Sequence, residues 1–176
     1  YGLLEANTGS RIILDGSSSQ TITGASTPTF SSLYFTSGPA TLDITATIGD
    51  TLDAGGQDVT ISSGKTLTLA AGSVAIKSGG TWTQDGTLAP DPDSKILYTT
   101  NNQDVLTNIT HGNLEHDGGI LSLISNFTAA GTLTNTSGDF NPGVQNITAN
   151  GIVWTADSVT GSPSQSWDIG TDGIHI

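Results

Sequence analysis

Four short pieces with alternating residue character follow one another closely: VTI from 59, LTL from 67, VAI from 74 and TWTQ from 81. Their middles, Thr60, Thr68, Ala75 and Thr83, are almost evenly spaced, with Gly or Ser-Gly between them. A hairpin sheet of ordinary strands with ordinary loops needs more chain than that. Three short strands per coil of a solenoid, each closed by a corner, fit the interval at roughly 20 to 25 residues per coil. Apolar residues at helical spacing are hard to find over any long window, whereas period-two alternation recurs, as in TLDITATI from 41 to 48. The fold expected is all-β: a right-handed parallel β-helix, with next to no helix.

A longer period overlies the short one. SRIIL at 10 to 14 returns as SKILY at 94 to 98, LDAGGQDVTI at 52 to 61 as FNPGVQNITA at 140 to 149, and Trp82 as Trp167, at nearly the same offset each time. About four coils therefore make one unit, so the single body 1–176 divides into two tandem units of about 10–93 and 94–176. One coil cannot bury its own interior, but stacked coils share a thin continuous core of Ile, Val, Leu and Ala. Corners such as Ala54-Gly55-Gly56 and Ala149-Asn150-Gly151 supply turn formers. Within DGSSSQTITG, residues 15 to 24, Ile22 is expected to point inward between solvent-facing Thr21 and Thr23.

Composition narrows the partners. Sixteen acidic residues face only Arg11, Lys65, Lys77 and Lys95, a net charge of -12, so no basic stripe exists to neutralise a phosphate backbone. Nucleic acid and anionic membrane are excluded as expected partners, and no apolar run reaches membrane-spanning length, so no membrane insertion is expected in this segment. The chain has no Cys, which rules out disulfides and thiolate metal sites; the missing initial Met suggests a processed or excised segment. With 28 Thr and 20 Ser, the chain is written in β-forming and solvent-tolerant residues rather than catalytic ones.

ILDGSSSQTITGASTPTFSSLYF, then TLDAGG with VTISSGKTLTLAAGS, then GGTWTQDGTLAPDPDSKILY, resembles the β-strand repeats of large secreted bacterial surface proteins, adhesin-like or filament-forming. The residues that carry the likeness are Asp15-Gly16, Gln20 to Gly24, Phe30 with Leu33, Thr66 to Leu69, and Trp82 with Gly86-Thr87-Leu88. It covers residues 10 to 98; the second half departs, reading Gln103-Asp104-Val105-Leu106-Thr107 where the repeat has its Q-T-I-T-G element. The resemblance implies an extracellular or cell-surface β-solenoid with no catalytic residues to carry over.

Candidate chemistry is sparse. Asp91 and Asp93, on a loop stiffened by Pro90 and Pro92, are the candidate Ca²⁺ ligands, with Asp50, Asp53 and Asp58 a second acidic stretch; no other cofactor is expected. His111, Glu115, His116 and Asp117 form the densest titratable cluster, but without a helix to align them they read as an exposed polar loop. Sequons beginning at Asn108, Asn126, Asn135 and Asn146 are candidate glycosylation sites. Trp82, Trp154 and Trp167 read as plugs of coil interiors before sugar-stacking platforms. The Thr-x-Thr pieces starting at Thr21, Thr45, Thr66, Thr81 and Thr132 fall at uneven intervals, too irregular for a once-per-coil ladder of the kind that orders ice.

The expected function is therefore an extracellular structural or adhesive surface module, not an enzyme, self-associating end to end or by exchange of its terminal strands, YGLLEA and GIHI, into a homopolymer. A carbohydrate-binding adhesin segment contacting surface glycans is the alternative. A polysaccharide-degrading β-helix enzyme ranks below both, because clustered carboxylates with a basic partner are not evident.

Overall fold

The computed structural model describes residues 10–99, 102–155, 158–161 and 167–175. The first half contains β1 (Arg11–Leu14), β2 (Gln20–Thr23), β3 (Thr29–Phe35), β4 (Ala40–Asp43), β5 (Ala46–Asp53), β6 (Val59–Ile61), β7 (Thr66–Leu69), β8 (Val74–Lys77) and β9 (Trp82–Gln84). The second contains β10 (Thr87–Pro90), β11 (Lys95–Thr99), β12 (Gln103–Asp104), β13 (Asn113–Ser122), β14 (Phe127–Thr128), β15 (Thr132–Gly143), β16 (Ile147–Trp154), β17 (Ser158–Gly161) and β18 (Trp167–His175). Every pairing among them is parallel, and no helix occurs among the described residues. The chain is a parallel β-solenoid. YGLLEA lies outside the described residues, as does Ile176; Gly173 to His175 close β18.

Three faces run along the stack. The longest ladder follows β1, β3, β5, β8, β11, β13, β15, β16 and β18. Its central column passes in register through Ile12, Leu33, Leu52, Ala75, Ile96, Leu114, Leu133, Ile152 and Ile174. From Leu33 to Ile152 each of these side chains is at most 1% exposed. One inward residue per turn is the minimum a thin solenoid needs to exclude water, and burying a Leu or Ile there contributes about 1.5–3 kcal/mol. A second face carries β2, β4, β6 and β9. The third is formed by the starts of β3 and β5, then β7 and β10, and later β14 with the starts of β16 and β18.

Coils are uneven, and some fall short of the length the sequence suggests. One coil carries Lys95 only as far as Asn113, whereas the coil from Thr51 to Val74 takes more chain. Corners absorb the difference. Gly80 turns one of them at φ +64°, where an added Cβ would meet the Gln57 carbonyl of the preceding coil. Elsewhere the corner is smoothed away: β13 and β15 run for 10 and 12 residues across two faces, with bulges at the bend. TLDITATI, by contrast, is split between β4 and β5.

The SRIIL and SKILY segments are stacked as their likeness suggests, with Arg11, Ser32, Thr51, Val74 and Lys95 on consecutive rungs of one column. The other long-period matches do not share a face. Leu52 sits in the column of Leu133, whereas Phe140 pairs with Leu121 on the second face. Trp82 pairs with Val59 and Trp167 with Ile147, on different faces again. The apolar-polar alternation is the same on every face, so similar segments arise one face apart.

Candidate functional site

Two members of the titratable cluster, His111 and His116, lie in the core, contrary to the exposed loop expected of them, whereas Glu115 is half-buried and Asp117 exposed. Lys77, Tyr98, His116 and Asn135 stand on successive rungs of one inward column, all at most 5% exposed. Lys77 donates to the Gly80 carbonyl (3.2 Å) and to Gln103 Oε1 (3.0 Å). Tyr98 Oη accepts the Leu106 N–H at 3.0 Å. His116 Nδ1 lies 2.5 Å from Asn135 Oδ1, and its Nε2–H donates to the Gly118 carbonyl at 2.6 Å. Asn135 in turn donates to the Gly138 carbonyl. Each side chain reaches a nearby backbone group that an aliphatic residue would leave without this partner, so the column is a set of internal ties. Burial raises the Tyr98 phenol well above its usual range and lowers the Lys77 ammonium, the latter partly offset by Asp104.

His111 enters the core from the third face. Its Nε2 lies 3.4 Å from Tyr98 Oη, its ring packs against Phe127, and its Nδ1 is buried with no hydrogen-bond partner. Desolvation lowers its pKa to about 4. Glu115 points outward and pairs with Lys95 at 2.7 Å. The cluster thus separates by alternation along β13: Glu115 faces water and His116 the interior.

The acidic candidates serve corners. Asp91 Oδ1 accepts the Asp93 N–H, and its carbonyl accepts the Ser94 hydroxyl. Asp53 Oδ1 accepts the Gly55 N–H, Asp58 Oδ1 the Thr81 N–H, and Asp50 the Ser32 hydroxyl. Among the described residues no three His, Asp or Glu side chains gather as a metal site. Asn135, as the core tie, offers no surface for a glycan; Asn108, Asn126 and Asn146 are exposed.

Two surface features remain. On the second face, among the described residues, β9 pairs only with β6, and the next strand along, β12, pairs only with β13. The gap is a cavity of about 470 Å³ whose lining includes Trp82, Gln84, Asn102, Asp104, Thr107 and Ile124. Trp82 is only 8% exposed and its Nε1 has no partner, so the indole plugs the interior and offers no open ring for stacking. The second feature is the third face, where sequence spacing concealed a regular array. Thr29, Thr47, Thr68 and Ala89 stand in register on four consecutive coils. Beside them Thr66 pairs with Thr87, and the Thr66 N–H donates to Thr45 Oγ1. Further along, Thr128 pairs with Thr148, while the Asn146 N–H donates to Asn126 Oδ1. Thr110 precedes His111, which bridges to Ala129 and links this stretch to the coil before it.

The rejected Thr-x-Thr series mixed all three faces. TIT at 21 and TWT at 81 lie on or beside the second face, TAT at 45 and TLT at 66 on the third, and TLT at 132 on the longest ladder. Sorted by face, the third carries Thr-x-Thr in the first half and Asn-x-Thr in the second, where the sequons at Asn126 and Asn146 are neighbouring rungs, while Asn108 turns a bend at φ 61°. No family model, curated protein or solved structure matches the chain.

Proposed function

We propose that the chain is a structural or adhesive module of a bacterial cell surface, secreted, rod-shaped and built to present long flat flanks at a fixed distance. The observation that supports this best is the uninterrupted nine-strand ladder with its all-apolar column. Each coil is bonded to the next along this ladder, so stiffness comes from the backbone and leaves outward residues free to vary. A parallel ladder is also extended naturally by another parallel strand, and end-to-end association of copies into a filament uses the same bonds that join the coils. In an adhesive role, the cavity beside Trp82, lined with amide and hydroxyl groups, is the place for a glycan contact.

Negative-stain electron microscopy of the purified chain over a concentration series tests the filament. The expected result is rods that lengthen in steps of about 40 Å, nine strands at about 4.8 Å each. Particles that stay single and uniform at the highest concentration count against end-to-end assembly.

A further inference from the structure

We propose that the third face is an ice-adsorbing surface, its partner being the ordered water of an ice crystal. A parallel β-sheet fixes outward side chains on a two-dimensional grid: about 6.7 Å between alternate positions along a strand, and about 4.8 Å between strands. Those repeats are close to the oxygen spacings of hexagonal ice along two of its lattice directions. A threonine on such a grid holds a water through its hydroxyl while its methyl group restricts where the next water sits. Repeated over several rungs, the anchored waters take up a lattice-like arrangement that can join an advancing ice front.

Three observations favour this face over the other two. It carries hydroxyls in two adjacent columns, Thr47 and Thr68 beside Thr45 and Thr66, rather than in one. None of its array residues is buried. In its two stretches, the coils of Thr29 to Ala89 and those of Thr128 and Thr148, neither column contains a charged side chain, in a chain with 16 acidic and 4 basic residues; Asp168, opposite Thr148, ends the second. The second face also has a threonine column, Thr21, Thr41, Thr60 and Thr83, but its neighbouring column contains Asp43 opposite Thr23. The longest ladder bears Arg11, Asp53, Lys95 and Glu115. Charged groups orient their hydration radially, which disrupts a lattice of water. A chain selected only for solubility would have no reason to keep charge out of these two columns, with Asp91 and Asp168 only at their margins. The inference does not depend on filament formation.

The test uses the full chain in thermal-hysteresis and ice-recrystallisation assays, with circular dichroism confirming the fold of each variant. The expected result is ice shaping and inhibited recrystallisation by the natural chain. Thr68→Lys and Thr128→Lys, one in each stretch of the array, should each lose the effect, while Thr60→Lys, on the second face, should keep it. Absence of ice activity in the natural chain overturns the proposal, as does equal loss in Thr60→Lys. Tight binding to microcrystalline chitin or cellulose without any effect on ice would reassign the array to a crystalline polysaccharide and also overturn it.

Discussion

Thr47 and Thr68 are distant in the chain and directly opposite one another in adjacent parallel strands. Between them lie two other faces and their corners, so this neighbour relation is set by one complete coil. The stability of the protein therefore rests on inward residues that meet in the same way, once per turn.

Leu52, in the middle of the apolar column and 0% exposed, is flanked by Leu33 and Ala75 on the neighbouring coils. Leu52→Ala leaves a gap that a laddered backbone cannot close, and should cost about 2–5 kcal/mol in denaturant unfolding.

Two glycines separate backbone strain from steric contact. Gly72 and Gly80 both have positive φ, but a Cβ on Gly72 meets nothing within 4 Å, while on Gly80 it meets the Gln57 carbonyl. Gly72→Ala should cost about 1 kcal/mol and Gly80→Ala clearly more, compared by thermal unfolding of the two variants.

Burial of His111 predicts acid sensitivity. Above about pH 6.5 the ring is neutral in folded and unfolded chains alike, and its contribution to stability is fully present. As pH falls from 6.5 to about 4, only the unfolded chain takes up the proton, so stability drops across that window by about 3 kcal/mol. Subtracting the pH profile of unfolding for His111→Phe from that of the natural chain isolates this part from the carboxylates. A difference that is flat between pH 6.5 and 4 would contradict the assignment.

Polar pairs should differ sharply by depth. Lys95 and Glu115 are 37% and 27% exposed, and Lys95→Ala should change stability by less than about 1 kcal/mol. Tyr98→Phe strands the buried Leu106 N–H and should cost about 1–3 kcal/mol, measured by the same chemical denaturation.

Fold class was legible because the local signals were strong: short alternating strands, glycine corners and too little chain between strand centres for hairpins. Ile22, partly buried between exposed Thr21 and Thr23, follows that alternation. What sequence spacing missed depends on register. Coils of unequal length, such as Lys95 to Asn113 and Thr51 to Val74, destroy any fixed period, so the array on the third face looks irregular until coils are aligned by their corners. Similarly, nothing local distinguishes a histidine inward on β13 from one on a loop. The signal lay in the alternation of Leu114, His116 and the outward Glu115, once Asn113 to Ser122 is recognised as strand. Trp82 and Trp167 looked equivalent because all three faces share one residue pattern.

The central claim is the in-register parallel stacking of successive coils, and a cysteine-free chain permits a direct measurement. Thr41 and Thr60 are register partners on β4 and β6, and adjacent strands about 4.8 Å apart bring their Cα atoms within disulfide range. In the double variant Thr41→Cys, Thr60→Cys, mild oxidation of the folded protein should give an intramolecular disulfide in nearly every molecule, mapped by peptide mass analysis. Thiols that stay free under native conditions would contradict the stacked solenoid.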